Sequence, residues 1–302
     1  MNAVLPSRYL ELANRLLLGV QPMDAPRAQR IAHAMDMCVE PKQWTHPLTD
    51  EQQRYLRACI DAREPLSDGW KRVQRHPSCR HVLCYTPGYG THVDIRFLDS
   101  SQRFVPRRLR VPLTSLGVPE SIAVLDALPV GQRSRSPSFF PGAAYDVSER
   151  VTGLRGRVVI SDGGAAGTRV PVRWARVEAR LAAGGPPVAW AHGDQHGEFL
   201  LVLPPEATAA PAVQLPRTPT LEITVHGRRG LPAPAPPALV RRADPFWDLP
   251  LELLGAPGSP EPGDLVALGR AIPASYNGSV KRSVTFVYSQ IVSNGIAPFD
   301  IT

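Results

Sequence analysis

Lysine is nearly missing from this chain of 302 residues: Lys42, Lys71 and Lys281 are the only three, so almost all of the 34 basic side chains are arginine. Against 27 acidic residues they leave a formal charge of +7. A GC-rich coding sequence produces such a bias as readily as a binding role does. Arginine nevertheless pairs bidentately with carboxylates and is enriched at protein interfaces. Cysteine is also scarce. Cys38, Cys59, Cys79 and Cys84 all fall in the first third, too sparse for a disulfide scaffold. No run of 18 apolar residues exists, which excludes a membrane-spanning helix by length. The leucines near the start, Leu10, Leu12 and Leu16 to Leu18, are interrupted by Arg8, Glu11, Asn14 and Arg15, and no small-residue cleavage site follows. That is not the pattern of a secretory signal, so reduced thiols and synthesis in the cytoplasm are the expectation. Nucleophile elbow, phosphate loop and dinucleotide fingerprint are all missing. The expectation is a protein that is not an enzyme, with no catalytic, cofactor-binding or metal residues.

What is present in excess is proline. Its 33 residues are about twice the usual share, and 24 glycines accompany them. Proline at this density breaks long helices and central strands. With 43% apolar residues the chain still has a core to bury. The fold expected is mainly β with a small N-terminal α-helical part: a β-meander or sandwich unit, then an immunoglobulin-like β-sandwich, then an extended C-terminal arm. Residues 1–70 form the helical region, with helices at Ser7–Gly19, Pro26–Cys38 and from Thr49, where Thr49 and Gln52 make a capping box. Residues 71–148 form the first β unit. In it, His92–Leu98 alternates strictly, with Val93, Ile95 and Phe97 on one face. A turn is expected at Gly88-Tyr89-Gly90, and Gly131–Gly142 reads as a surface linker. Residues 149–228 form the second sandwich. Residues 229–302 read as a proline-rich spacer and an arm, strand-like at Lys281–Val292, whose loss would leave the sandwich folded.

His76, Cys79, His81, Cys84 and His92 carry metal-ligand chemistry but not zinc spacing. The expectation there is a buried Cys84 and an exposed His81. The stretch His192-Gly193-Asp194-Gln195-His196 is read as a turn capped by Asp194. Nine arginines between Arg75 and Arg135 face only Asp94, Asp99, Glu120 and Asp126. Arg103, Arg107, Arg108 and Arg110 are therefore candidates for an interaction surface, or for the guard of a sheet edge. Aromatics among them are too sparse for base stacking, which favours an acidic protein surface over nucleic acid. Phe286 and Tyr288 are the candidate contacts of the arm. Trp174, Trp190 and Trp247 are the platform of the alternative reading, a carbohydrate- or ligand-binding accessory β-sandwich. Trp174 and Trp190 lie in apolar strand contexts that favour burial.

The order of turns and strands from 151 to 226 carries a resemblance. Gly156, Val158, Val172, Ala175, Val177, Asp194, Gly197, Phe199, Leu201 and Pro204 match the pattern G-x-V, V-x-x-A-x-V, D-x-x-G-x-F-x-L-x-x-P. This resembles the carboxypeptidase-regulatory-like, or transthyretin-like, β-sandwich module. The resemblance implies an accessory or assembly domain. The segments Phe104–Leu113 and Phe139–Val147, followed by that module, resemble accessory or cap proteins of phage-tail-like contractile injection systems. That implies a structural adaptor, a cap, terminator or accessory component of an assembled particle. Its partners would be other subunits, such as tail tube or sheath proteins, and copies of itself in a ring.

Overall fold

The computed structural model describes residues 16–40, 48–62, 71–84, 90–113, 133–147, 151–161, 168–181, 185–204, 218–230, 235–256, 263–293 and 297–301. Among them the chain is mainly β and its buried apolar residues separate into two large clusters. No helix among these residues is long and apolar enough to cross a membrane. Gly88 and Tyr89 of the expected turn and the first turns of the expected helix from Ser7 lie outside the described residues.

The first unit contains strands β1 (Leu16–Val20), β2 (Met23–Asp24), β3 (Gln29–Arg30), β4 (Asp36–Val39), β5 (Lys71–Arg72), β6 (Gln74–Arg75), β7 (His81–Cys84), β8 (His92–Leu98), β9 (Arg107–Pro112), β10 (Ser134–Arg135) and β11 (Ser138–Phe139), with helix α1 (Asp50–Ala62). The helix begins as its sequence demands: Gln52 N–H donates to Thr49 Oγ1 at 3.2 Å, and Thr49 N–H donates to Gln52 Oε1 at 3.0 Å. The other two expected helices are corrected. Leu16–Val20 is a strand, and the segment from Pro26 to Cys38 contains β3 and β4. Met35, Met37 and Val39 alternate inward there with period two, a pattern that outweighs helix propensity once a sheet partner is available. The meander holds only in part. β8 and β9 pair antiparallel as expected, with β4 on the other side of β8, whereas β7 leaves for another sheet, where it pairs with β1 and β6.

The alternation of β8 holds, and Val93, Ile95 and Phe97 are buried in the first core. On β7 the alternation has the opposite phase to the one expected. His81 is buried and Cys84 half-buried. Pairing of Val20 with His81 turns the imidazole inward, where Nε2 donates to Met35 O at 3.0 Å and the ring meets Phe97 edge-on. The segment expected to be a linker at 131–142 supplies β10 and β11, which pair parallel with β1 and β2.

The second unit holds β12 (Gly153–Ser161), β13 (Arg169–Pro171), β14 (Arg176–Leu181), β15 (Pro187–His192), β16 (Glu198–Val202) and β17 (Thr220–Gly227). Helix α2 (Ala238–Ala243) and strand β18 (Leu251–Leu253) follow, then β19 (Gly278–Thr285), β20 (Ile291–Val292) and β21 (Phe299–Asp300). One sheet runs β15-β14-β17-β19; the other is centred on β12, with β13, β16, β20 and β21 as its neighbours. Inward residues of both sheets share one core, including Val158, Val177, Phe199, Leu201, Ile223, Val225 and Phe299. Of the transthyretin-like pattern, Val158, Val172, Ala175, Val177, Phe199 and Leu201 all sit in that core. A Cβ on Gly156 would lie 2.5 Å from Phe199 Cζ, so the glycine makes room for that ring.

The C-terminal region is not an arm. β18 adds to β9 and completes the five-stranded sheet of the first unit. β19 pairs with the whole of β17, and β20 and β21 pair parallel with β12. Phe286, Phe299 and Ile301 are fully buried in the second core. The described residues of this region thus serve both units. Apolar residues spaced along an irregular tail find partners in two cores that the sequence alone cannot locate.

Candidate functional site: a buried ionic junction

The densest chemistry lies where the two units meet. The described residues 244–256 and 263–276, here called the strap, lie between α2 and β19 in the chain and include β18. Its inner side carries Asp248, Glu252, Gly269 and Tyr276. Glu252 is 4% exposed and serves two guanidiniums, one from each unit. Arg107 of β9 donates to Glu252 from Nε and Nη2, both at 3.1 Å. Arg176 of β14 donates from Nη2 to Glu252 Oε1 at 3.0 Å. Arg107 also donates to Ser138 O at 2.7 Å and Val266 O at 2.6 Å, and Arg176 to Trp174 O at 2.9 Å. Burying such charges is tolerable only with pairing and hydrogen bonds of this kind, which leave just Arg176 Nε of the two guanidiniums without a partner.

His192 of β15 lies beside this bridge, fully buried and stacked on Phe140 of the first unit at 4.3 Å. Its Nε2 bonds Gly269 O at 2.7 Å. A carbonyl only accepts, so Nε2 carries the proton and Nδ1 presents a lone pair that meets no donor. Burial first, then the positive charges of Arg176 and Arg107, holds its pKa well below the ordinary histidine value. Tyr276 donates its hydroxyl to Trp174 O, and burial pushes the phenol up to about 12.

Trp174 closes the same region with φ +64°, a left-handed backbone that a bulky residue seldom adopts. Its ring is buried, and its Nε1 donates to Asp248 Oδ1 at 2.8 Å. Arg173 bonds the same carboxylate at 3.0 Å. Asp248 and Glu252 therefore bind the strap to the second unit, while Glu252 and the Val266 carbonyl bind it to the first.

The candidate interaction residues fall in different places. Arg107 is buried in the junction. Arg108 donates to Glu40 Oε2 from Nε at 2.9 Å and from Nη2 at 2.6 Å, and Arg110 is bidentate to Asp94 at 2.7 Å. Arg96 adds Glu40 and Asp244 as partners. On that sheet face three guanidiniums meet three carboxylates, so the face is a neutral ladder. Arg103 alone of the four is exposed. Phe286 is core, and Tyr288 packs against that core. Trp174, Trp190 and Trp247 present no shared platform, since Trp174 is buried and Arg270 covers one face of Trp190 at 4.0 Å.

Asp194 takes its expected place, accepting from the N–H groups of His196 at 2.8 Å and Glu198 at 2.9 Å. Among the described residues no group of three or more His, Cys, Asp or Glu side chains is placed to hold a metal. A contact that sequence reading missed joins His33, Asp99 and Ser101. It is not a catalytic relay. Ser101 Oγ and Asp99 Oδ1 both meet the same ring nitrogen, His33 Nε2, at 2.9 Å, whereas a relay needs them on opposite nitrogens. Burial raises the Asp99 carboxyl, but bonds from Ser101, His33 and the Phe104 N–H outweigh it and hold the pKa low.

No family model and no curated protein matches this chain. Among solved structures, the minor pilin GBS52 of Streptococcus agalactiae shares 8% identity over 95% of this chain and 97% of that one, with a TM-score of 0.23. A likeness of that size carries no argument.

Proposed function

We propose that this chain is a structural adaptor subunit of a multi-subunit assembly, without catalytic activity. Its place would be as a cap, terminator or accessory component of a phage-tail-like contractile injection particle. The observation that carries the reading is the junction itself. Three separate segments, at Arg107, Arg176 and Glu252, spend buried charges on joining two β units into one block. An adaptor that passes position or force between neighbours needs such a fixed relation between its two ends. A carbohydrate-binding reading needs exposed tryptophans together, and the packing of Trp174 and Trp190 removes that platform.

Light scattering and electron microscopy of the purified full chain, alone and with the proteins encoded beside it, test the proposal. A ring, or a particle that retains the chain, is the expected result. A monomer that joins none of those proteins would overturn it.

A further inference from the structure

The outer side of the strap differs from its inner side. Leu253, Leu265 and Ile272 are 64%, 57% and 40% exposed, three of the five large apolar side chains that stand open among the described residues. They are held together rather than scattered. Arg270 N–H donates to Leu265 O at 2.7 Å, and Ala271 N–H to the same oxygen at 3.1 Å. Asp264 Oδ2 accepts from Gly255 N–H at 2.8 Å, which brings the end of β18 alongside this turn. Between Leu265 and Ile272 stands Arg270, its guanidinium 4.0 Å from the centre of the Trp190 ring. Among the described residues no carboxylate pairs with it.

The mount of this arginine is rigid. Gly269 has φ +68°, and a Cβ there would come within 2.6 Å of the Phe140 ring. Its carbonyl is taken by His192. The same contacts that lock the two units therefore fix the residue next to Arg270. A cation stacked on tryptophan, without an acid and in one turn with exposed aliphatic residues, has the composition of an interface hot spot. One arginine among leucine and isoleucine suits a peptide carboxylate. A nucleic-acid backbone would need a track of positive charge.

We propose that Arg270 on Trp190, flanked by Leu265 and Ile272, is the docking point for an extended protein segment that carries a carboxylate between apolar side chains and belongs to a neighbouring subunit. The identity of that neighbour rests on the adaptor reading; the chemistry of the patch does not. Selection of a random displayed dodecapeptide library on the full chain tests it. The expected peptides carry Asp or Glu flanked by Leu, Ile or Phe. Arg270→Glu should weaken them roughly thirty-fold, as should the pair Leu265→Ser and Ile272→Ser, with the melting temperature unchanged. Arg270→Lys should retain part of the affinity. An empty selection, peptides without an acidic residue, or equal binding by Arg270→Glu would overturn the proposal. So would loss of self-association in Arg270→Glu, which would make the occupant a second copy of this chain. A chain that selects such peptides yet joins no particle would leave the patch standing and the adaptor reading fallen.

Discussion

Glu252 is the residue on which most depends, because two buried guanidiniums share its carboxylate. Glu252→Gln leaves both without a counter-charge and should cost about 3–5 kcal/mol, read from urea unfolding. A near-neutral result would place the charges in solvent. His192 gives a second test, with a sign that follows from burial. Its folded pKa is depressed, so the unfolded or opened chain binds the proton more readily. Stability is full above the ordinary histidine pKa and is lost as pH falls below it, by about 1.4 kcal/mol per unit. His81 is lowered too, by burial first, and adds to the slope. The difference in pH dependence between wild type and His192→Gln over pH 7 to 5 isolates the junction histidine. Identical slopes would show that His192 is not buried in solution. At the same scale, Phe199→Ala should cost about 3–5 kcal/mol as a cavity in the second core.

At the scale of elements, the legible parts were those whose signal is local. The capping box set the start of α1, strict alternation set the faces of β8, and the Asp194 turn followed from its glycines and acid. What failed depended on partners far along the chain. Arg107, Arg108 and Arg110 looked uncompensated because nearby acids are few; Glu252, Glu40 and Asp94 neutralise them, two from outside the segment counted. A sign of Glu252 did exist, since a lone acid inside Leu251–Leu254 marks a carboxylate carried into a core. Short strands such as β2, β10 and β11 leave almost no periodicity to read. The tail differs from its expected form for the same reason. Removing residues 281–302 takes most of β19 and all of β20 and β21, with Val284, Phe286, Phe299 and Ile301 from the core. The second unit should then lose its cooperative transition by circular dichroism. A truncated chain that melts like the full one would restore the arm.

For the whole molecule, two β units that each own a core are joined by a strap contributing to both. β18 completes one sheet, Glu252 and Asp248 hold the other unit, and Gly269 locks the two faces at His192 and Phe140. Such a junction couples the units energetically, so neither should melt by itself. It also fixes the mount of Arg270 and sets what any neighbour would meet. Differential scanning calorimetry of the full chain, beside Glu252→Gln, tests this coupling most directly. The account predicts one transition for the wild type that separates into two when the shared carboxylate is lost. Two independent transitions already present in the wild type would contradict it.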